Sequence, residues 1–327
     1  RIKWETKLKD KNMGPPKIGQ TVVVEVPSTT ANIGPGFDCL GAALDLSNQF
    51  TIKRIEGNAE RFELIMESTE GNHLRGGPEN LFYRAAQRVW RTAGVEPVAL
   101  EARVKLAVPP ARGLGSSATA IVAGLVGANA LAGYPLPKEK LLELAIDIEG
   151  HPDNVVPSLI GGLCVTAKTA NDRWRVVRCD WDQSIKAVVA IPSIRLSTSE
   201  ARRVMPENIP VNDAVINLGA LTLLLQGLRT GNEDLIADGM HDKLHEPYRW
   251  GLIKGGLEVR EAAKAAGALG CAISGAGPSI LALCKATKGR EVSVAMVKAW
   301  EAAGVASRAP LMSLQLRGSE CISNTFG

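Results

Sequence analysis

Aromatic residues make up only 4% of the 327 residues, and the six cysteines (Cys39, Cys164, Cys179, Cys271, Cys284 and Cys321) include no CxxC pair. Their scatter excludes a zinc knot and a disulfide framework and fits a reducing, cytoplasmic setting. No stretch reaches the roughly 20 apolar residues that span a bilayer. The charged opening RIKWETKLKDKNMG lacks the apolar segment that a secretory signal needs. Residues 1–19 therefore read as an N-terminal extension, with Met13 a candidate natural start and the residues before it either added upstream or a short native tail. The net charge of +4 comes without a basic block, so neither a nucleic acid nor a membrane surface is expected as a partner. Small anionic substrates stay compatible. Internal repeats and low-complexity tracts are absent. His241 and His245 are four apart, as zinc ligands on a helix can be, but no HExxH accompanies them.

What is present suits two domains with substantial cores: 45% hydrophobic and 22% charged residues over a chain of this length. Strands are expected at Thr21 to Val26, Asn48 to Arg54, Phe62 to Met66 and Leu100 to Val108, where β-branched or alternating residues dominate. Helical spacing covers Asn80 to Ala93, Ser116 to Leu131 and Lys138 to Ile148, and Gly150 and Pro152 place EGHPDN in a tight connection. Further strands are expected at Leu159 to Lys168, Trp174 to Cys179 and Ala187 to Ile191. A mostly helical stretch runs from 198 to 240, short strands at Cys271 to Ser274 and Ser279 to Leu283 flank a glycine turn, and a helix covers Glu291 to Ala302. Strands and helices interleave without a strict βαβ repeat, so the expectation is an α+β fold rather than a doubly wound sheet.

Three glycine-rich loops flanked by strands stand out: PSTTANIGPGFDCLG at 27–41, PPARGLGSSAT at 109–119 and ISGAGPSI at 273–280. In the middle loop, Gly113 and Gly115 let the backbone turn tightly and bring N–H groups against an anion. Ser116 and Ser117 then open a helix, whose unpaired N–H groups and positive dipole end favour a phosphate without a lysine. A P-loop of the GxxxxGK[ST] type is excluded by the missing lysine. Alone, the loop equally suits a loop-to-helix junction packed on small residues. HPDNV at 151–155, taken without context, reads better as a plain turn.

Taken together, the three loops in this order resemble the signature motifs of the GHMP kinases, over about residues 20 to 318. ANIGPGFDCLG, HPDNVVP at 151–157, LSTSEARRVMP at 196–206 and HEPYR at 245–249 are most similar to the homoserine-phosphorylating branch of that superfamily. The resemblance implies an α+β fold of two domains: a ribosomal protein S5 domain 2-like ATP-binding domain at 20–183 and a ferredoxin-like domain at 184–318, with 319–327 a tail. ATP would lie in the cleft between them, with ISGAGPSI buttressing the phosphate loop. Pro109, Pro110, Ala111, Arg112, Gly113, Leu114, Gly115, Ser116, Ser117 and Ala118 would wrap the phosphates. Ser117 would ligate Mg²⁺, with Glu143 as its carboxylate partner.

Helical periodicity by itself leaves Glu143 on the solvated side beside Asp147, and Glu149 competes for the metal. The resemblance also implies that Asn32, Asp38, His151, Asn154, Arg202 and Arg249 bind L-homoserine. Thr198 would sit near the reacting hydroxyl, and Asn154, Thr198 and Arg202 would carry the catalytic roles. Chemistry agrees with that set, since an ammonium needs a carboxylate such as Asp38 and a carboxylate suits a guanidinium fork. Asp153 is a tempting base, but the motif does not place it on the hydroxyl, so the base stays unassigned. Relatives of this kind are commonly homodimers. Two alternatives remain: a kinase of a mevalonate-type alcohol, which would not need Asp38 for an ammonium, and a noncatalytic sensor of the same fold.

Overall fold

The computed structural model describes residues 14–68 and 74–325. The candidate start at Met13 and the residues before it lie outside the described residues. Along the chain the elements run β1 (Thr21–Ala31), β2 (Leu40–Arg54), β3 (Phe62–Met66), α1 (Leu81–Ala93), β4 (Leu100–Lys105), α2 (Ser116–Leu131), α3 (Lys138–Glu149) and α4 (Pro152–Ile160). They continue with β5 (Leu163–Lys168), β6 (Trp174–Cys179), β7 (Ile185–Pro192), α5 (Thr198–Arg203), α6 (Val211–Thr230), α7 (Glu233–Gly239), α8 (Glu246–Arg249) and α9 (Gly256–Ala265). Then follow β8 (Gly270–Ile273), β9 (Ile280–Lys285), α10 (Gly289–Ala302), β10 (Ser307–Arg308), β11 (Leu311–Met312) and β12 (Glu320–Thr325).

Two sheets organise these elements. In the first, strands lie in the order β12-β1-β2-β4-β3, with β5 against β2 and β6 against β5; only β3 and β4 run parallel. In the second, β9 lies between β7 and β8, and both β10 and β11 pair with β7. One apolar core lies between the first sheet and α1 to α4, with Val24, Ile52, Trp90, Leu125 and Val156 fully enclosed. A second core joins the two sheets through Leu40, Leu44, Leu114, Val189, Leu224 and Leu281. A third packs α9 and α10 on the far face of the second sheet around Val259, Ile273, Val292 and Trp300. The mixed α+β expectation is borne out.

Helix α2 is buried nearly all round, which explains its run of Ala, Val, Gly and Leu without a polar face. Helix α1 starts where Asn80 accepts a hydrogen bond from the Phe82 N–H and ends at left-handed Gly94.

Four expectations fail. HPDN opens a helix, α4, instead of a plain turn: Gly150 ends α3 in the left-handed region, and Pro152 needs no N–H at the first helical position. The strand foreseen from Leu159 accordingly begins only at Leu163. The tail from 319 contains β12, which pairs antiparallel with β1 and so extends the first sheet. Helix α6 has the length and apolar composition to cross a bilayer, contrary to the reading that no stretch would. Its inward side packs on α7 and carries Asn217, which donates to the Pro35 carbonyl and accepts from the Lys243 N–H, anchoring α6 as a surface helix of the fold.

Candidate active site

The three glycine loops meet. Ser274 of the third loop donates to the Gly113 carbonyl at 2.7 Å, the Gly275 N–H reaches the Ala31 carbonyl, and Asn32 Nδ2 reaches the Gly275 carbonyl at 2.8 Å. Of the six non-glycine residues with positive φ among the described residues, Asn32, Ile33, Asp38 and Ala111 lie in the first two loops. Such strain concentrates where the surroundings over-determine a functional geometry.

Gly113 and Gly115 are both left-handed, and what excludes a Cβ there is neighbouring protein. At Gly113 it would lie 2.1 Å from the Ser274 carbonyl oxygen; at Gly115, 2.0 Å from Thr29 Oγ1 and 3.0 Å from Asn154 Oδ1. Close approach of phosphates was the reason expected from the sequence, and loop packing supplies a second and independent one. Asn48, which sequence reasoning passed over, accepts from the N–H groups of Ala107 and Val108 and donates to Thr119 Oγ1, fixing the strand-to-loop junction.

Among the described residues, none of the backbone N–H groups from Gly113 to Ala118 donates a hydrogen bond within the protein. They stand at the N-terminus of α2, where the helix has no side-chain cap. Converging N–H groups and the dipole make an anion cradle there. The cleft that the cradle opens onto has a volume of about 460 Å³ and is lined by Pro110, Ala111, Arg112, Gly113, Gly115, Ser116 and Ser117 on this side. Pro109, Leu114 and Ala118 do not line it. The Leu114 and Ala118 side chains are packed in the cores, leaving only their N–H groups to serve a phosphate, and Pro109 has no N–H to offer. The Arg112 guanidinium turns away to the carbonyls of Pro192 and Ser193.

The carboxylate beside Ser117 is Glu149. Ser117 Oγ donates to Glu149 Oε1 at 2.7 Å. Glu143 projects from the solvent side of α3, its side chain 55% exposed and paired with Lys140 at 2.9 Å, so the structure corrects the expected partner. The reason is positional: Glu149 is the last residue of α3, where the chain turns at Gly150 toward α4, and its side chain reaches the cleft. Burial pushes its carboxyl above the ordinary range, with the Ser117 hydrogen bond acting in the opposite sense. A largely buried carboxylate beside a hydroxyl is a hard oxygen pair suited to Mg²⁺.

Across the cleft lie Asn32, Asp38, His151, Asn154, Thr198, Arg202 and Arg249, the remaining residues singled out in the sequence. Ser197 caps α5 with a reciprocal capping box to Glu200, which sets Thr198 and Arg202 on the cleft wall. Arg202 grips Asp38 in a fork, 2.8 and 3.0 Å, and that bond raises the guanidinium above its ordinary value. Arg249 is 2% exposed, its Nε on the Ala201 carbonyl at 3.1 Å and its charge over the Phe37 ring at 5.0 Å. Burial, then the neighbouring Arg202 charge, lowers it. His245 is fully buried, stacked on Phe37 and bonded to the Gly34 carbonyl, which leaves it a structural ring rather than a zinc ligand.

Asp153 and Thr29 are the polar residues whose roles the sequence hid. Asp153, buried at the start of α4, holds His151 Nδ1 at 2.6 Å. Burial alone would lower the imidazole, but the hydrogen bond and charge of Asp153, with the charge of Glu149, leave it raised. Thr29 Oγ1 donates to Asn154 Oδ1 at 2.8 Å, which fixes the amide so that Nδ2 lies toward Asp153. The metal-ligating atoms of Asp38, His151 and Asp153 lie within 4.8 Å of one another, yet Arg202 and the imidazole already compensate the two carboxylates.

This fold and cleft are those of a phosphotransferase class. The GHMP kinases N terminal domain matches residues 80–162 and the GHMP kinases C terminal domain matches residues 224–302. The chain belongs to the GHMP kinase family. It is 99% identical over 315 residues, 96% of this chain and 100% of the relative, to a homoserine kinase of Prochlorococcus marinus (strain NATL1A). It is 80% identical over 94% of its length to a homoserine kinase of Synechococcus sp. (strain CC9311), covering 98% of that protein. The crystal structure of a homoserine kinase from Cytophaga hutchinsonii ATCC 33406 superposes with a TM-score of 0.85 at 31% identity, covering 95% of this chain and 100% of that one. An L. major mevalonate kinase in complex with R-mevalonate shares the fold alone, with a TM-score of 0.68 at 16% identity over 93% of this chain and 99% of that one.

Proposed function

We infer that the protein is an ATP-dependent kinase of L-homoserine, transferring the γ-phosphoryl group to the side-chain hydroxyl to give O-phospho-L-homoserine on the route to threonine. One observation carries the reading: a single cleft joins the open N–H cradle at Gly113 to Ala118 with a carboxylate, Asp38, and two guanidinium groups, Arg202 and Arg249. The cradle fits phosphates and the second group fits a zwitterionic amino acid.

In this reading the loop 110–118 holds the ATP phosphates. Ser117 and Glu149 would hold Mg²⁺, which when bound supplies charge neutralisation to the transferring group. Asp38 and Asn32 face the ammonium, Arg202 and Arg249 the carboxylate, and His151, Asn154 and Thr198 the hydroxyl end. Asn154 is neutral and cannot act as a base. Phosphoryl transfer through a loose transition state depends mainly on positioning and charge, so no dedicated base is required. ATP is bound between a domain of about residues 20–183, extended by β12, and one of about 184–318. A homodimer in the cytoplasm, without nucleic-acid or membrane partners, completes the reading. Its support is the outward apolar stripe of α6 at Val211, Val215 and Leu218 and the slight net charge.

A coupled ADP-release assay across homoserine, serine, threonine and mevalonate tests this. Homoserine should be turned over far faster than the other three. Preference for mevalonate would overturn the substrate, and no turnover with any of them would favour a ligand sensor.

A further inference from the structure

The two arginines of the amino-acid half are held in opposite ways. Arg249 rests on neutral acceptors, the carbonyls of Ala201 and Gly275 and the ring of His245, with no carboxylate at ion-pair distance among the described residues. Its charge is therefore available to a ligand. Arg202 is already spoken for: both of its terminal nitrogens bind the two oxygens of Asp38. The pair joins residues 164 apart in sequence, α5 on one wall and the loop after β1 on the other. The Asp38 backbone is pinned in place: its φ is 54 and its N–H is held by Asn32 Oδ1 at 3.0 Å.

We propose that the Asp38–Arg202 ion pair is a latch across the substrate subsite that a zwitterion opens by exchange, and that this exchange is a determinant of specificity. The inference rests on the reading that Asp38 takes the ammonium and Arg202 the carboxylate. When an amino acid enters, its ammonium replaces the guanidinium at Asp38 and its carboxylate replaces Asp38 at Arg202, so each protein charge keeps an opposite partner. A ligand bearing only a carboxylate frees Asp38 with nothing to pair it. A ligand bearing only an ammonium strands Arg202 in the same way. Each singly charged ligand thus has to give up the latch without replacing it, which works against it beyond the mere loss of one contact. Both side chains are partly exposed, 40% and 34%, so the latch is worth a small factor: about two- to fivefold in affinity for a pair of this exposure.

The test uses 4-hydroxybutyrate, which is homoserine without its ammonium, and 3-aminopropan-1-ol, which lacks the carboxylate. Affinities are measured by ligand-observed NMR on the intact chain and on Asp38→Asn, Arg202→Gln and the double variant. Asparagine tolerates the left-handed backbone at position 38. Asp38→Asn should weaken homoserine yet tighten 4-hydroxybutyrate about two- to fivefold, because Arg202 is released. That gain should vanish when Asp38→Asn is made on top of Arg202→Gln, which separates the latch from a general loss of negative charge. The mirror arm is independent: Arg202→Gln should tighten 3-aminopropan-1-ol. A gain for 4-hydroxybutyrate that persists without Arg202, or no gain for either ligand while homoserine weakens, overturns the latch and leaves the subsite reading intact. Homoserine affinity unchanged in both single variants overturns the subsite reading itself.

Discussion

The proposed nucleotide half and the proposed amino-acid half of the cleft are built from different materials. One is backbone: N–H groups from Gly113 to Ala118, left open by glycine turns and a capless helix start. The other is side chain: Asp38, His151, Arg202 and Arg249, delivered by a loop, the start of α4, α5 and α8. A cradle of backbone reads any phosphate of the right reach, whereas forked and charged side chains read one arrangement of charges. In the proposed function, specificity therefore belongs to the second half and general nucleotide grip to the first.

Removal of Glu149, the proposed metal carboxylate where the halves meet, breaks this comparison most severely. Glu149→Gln should lower kcat by about a hundredfold or more, the several kcal/mol that metal charge neutralisation contributes to a transition state. Glu143→Gln should stay within about twofold, since it removes only an exposed ion pair. Steady-state kinetics of the two variants decides, and the reverse pattern would return the metal to Glu143. Next in size, Arg249→Ala should cost about 2–5 kcal/mol of homoserine interaction, the range for truncating one member of a buried charge pair. Its effect should appear in the KM for homoserine far more than in that for ATP, and Arg249→Lys should rescue poorly because a point charge does not reproduce the fork.

The backbone half is sharpened by Gly115→Ala. Its Cβ would meet Thr29 Oγ1 at 2.0 Å in a left-handed turn, so the variant should lose about 1–3 kcal/mol of stability, the usual cost of overpacking. Thermal unfolding checks this, and Thr29→Ala in the same chain should restore part of the loss. If stability is unchanged, the loops are not packed as described.

A pH-dependent effect lies beneath the amino-acid half. Glu246 is pushed up to about 8 by burial, against an ordinary value of 4.5, although it accepts the Ile273 N–H. A raised carboxyl binds more protons folded than unfolded, so its contribution is present below the unfolded value and is lost as pH rises toward the folded one. The melting temperature should therefore fall between about pH 4.5 and 8, and less so in Glu246→Gln, which keeps an acceptor for Ile273 but has no charge to form.

Legibility followed the same divide. Glycine turns and an apolar run are local signals, so the glycine loop and the bounds of β3 and α2 could be read directly, whereas its phosphate role and the set of proposed amino-acid ligands, all of which line the cleft, came from the motif resemblance. Glu149 was legible only as the competing carboxylate: the motif resemblance pointed to Glu143, which periodicity left on the solvated side, and periodicity assigns faces along a helix whereas Glu149 acts from the helix end. Helix α4 escaped because His-Pro and Asp-Asn read as turn residues, although Pro152 right after the Gly150 cap is also the pattern of a helix start. Strand β12 carries no amphipathic alternation strong enough to show itself, and its pairing with β1 spans almost the whole chain. Thr29 and Asp153 orient other side chains, and such supporting bonds leave no mark on a single sequence.

The central claim, that the two halves bind separately, is tested most directly by titrating a non-hydrolysable ATP analogue and homoserine into the Asp38→Asn/Arg202→Gln double variant. Nucleotide affinity should stay within about twofold of the parent, the additivity limit for sites that share no partner, while homoserine affinity falls by about tenfold or more, as expected when charge-assisted bonds are removed. A loss of nucleotide affinity as large as the loss for homoserine would contradict it.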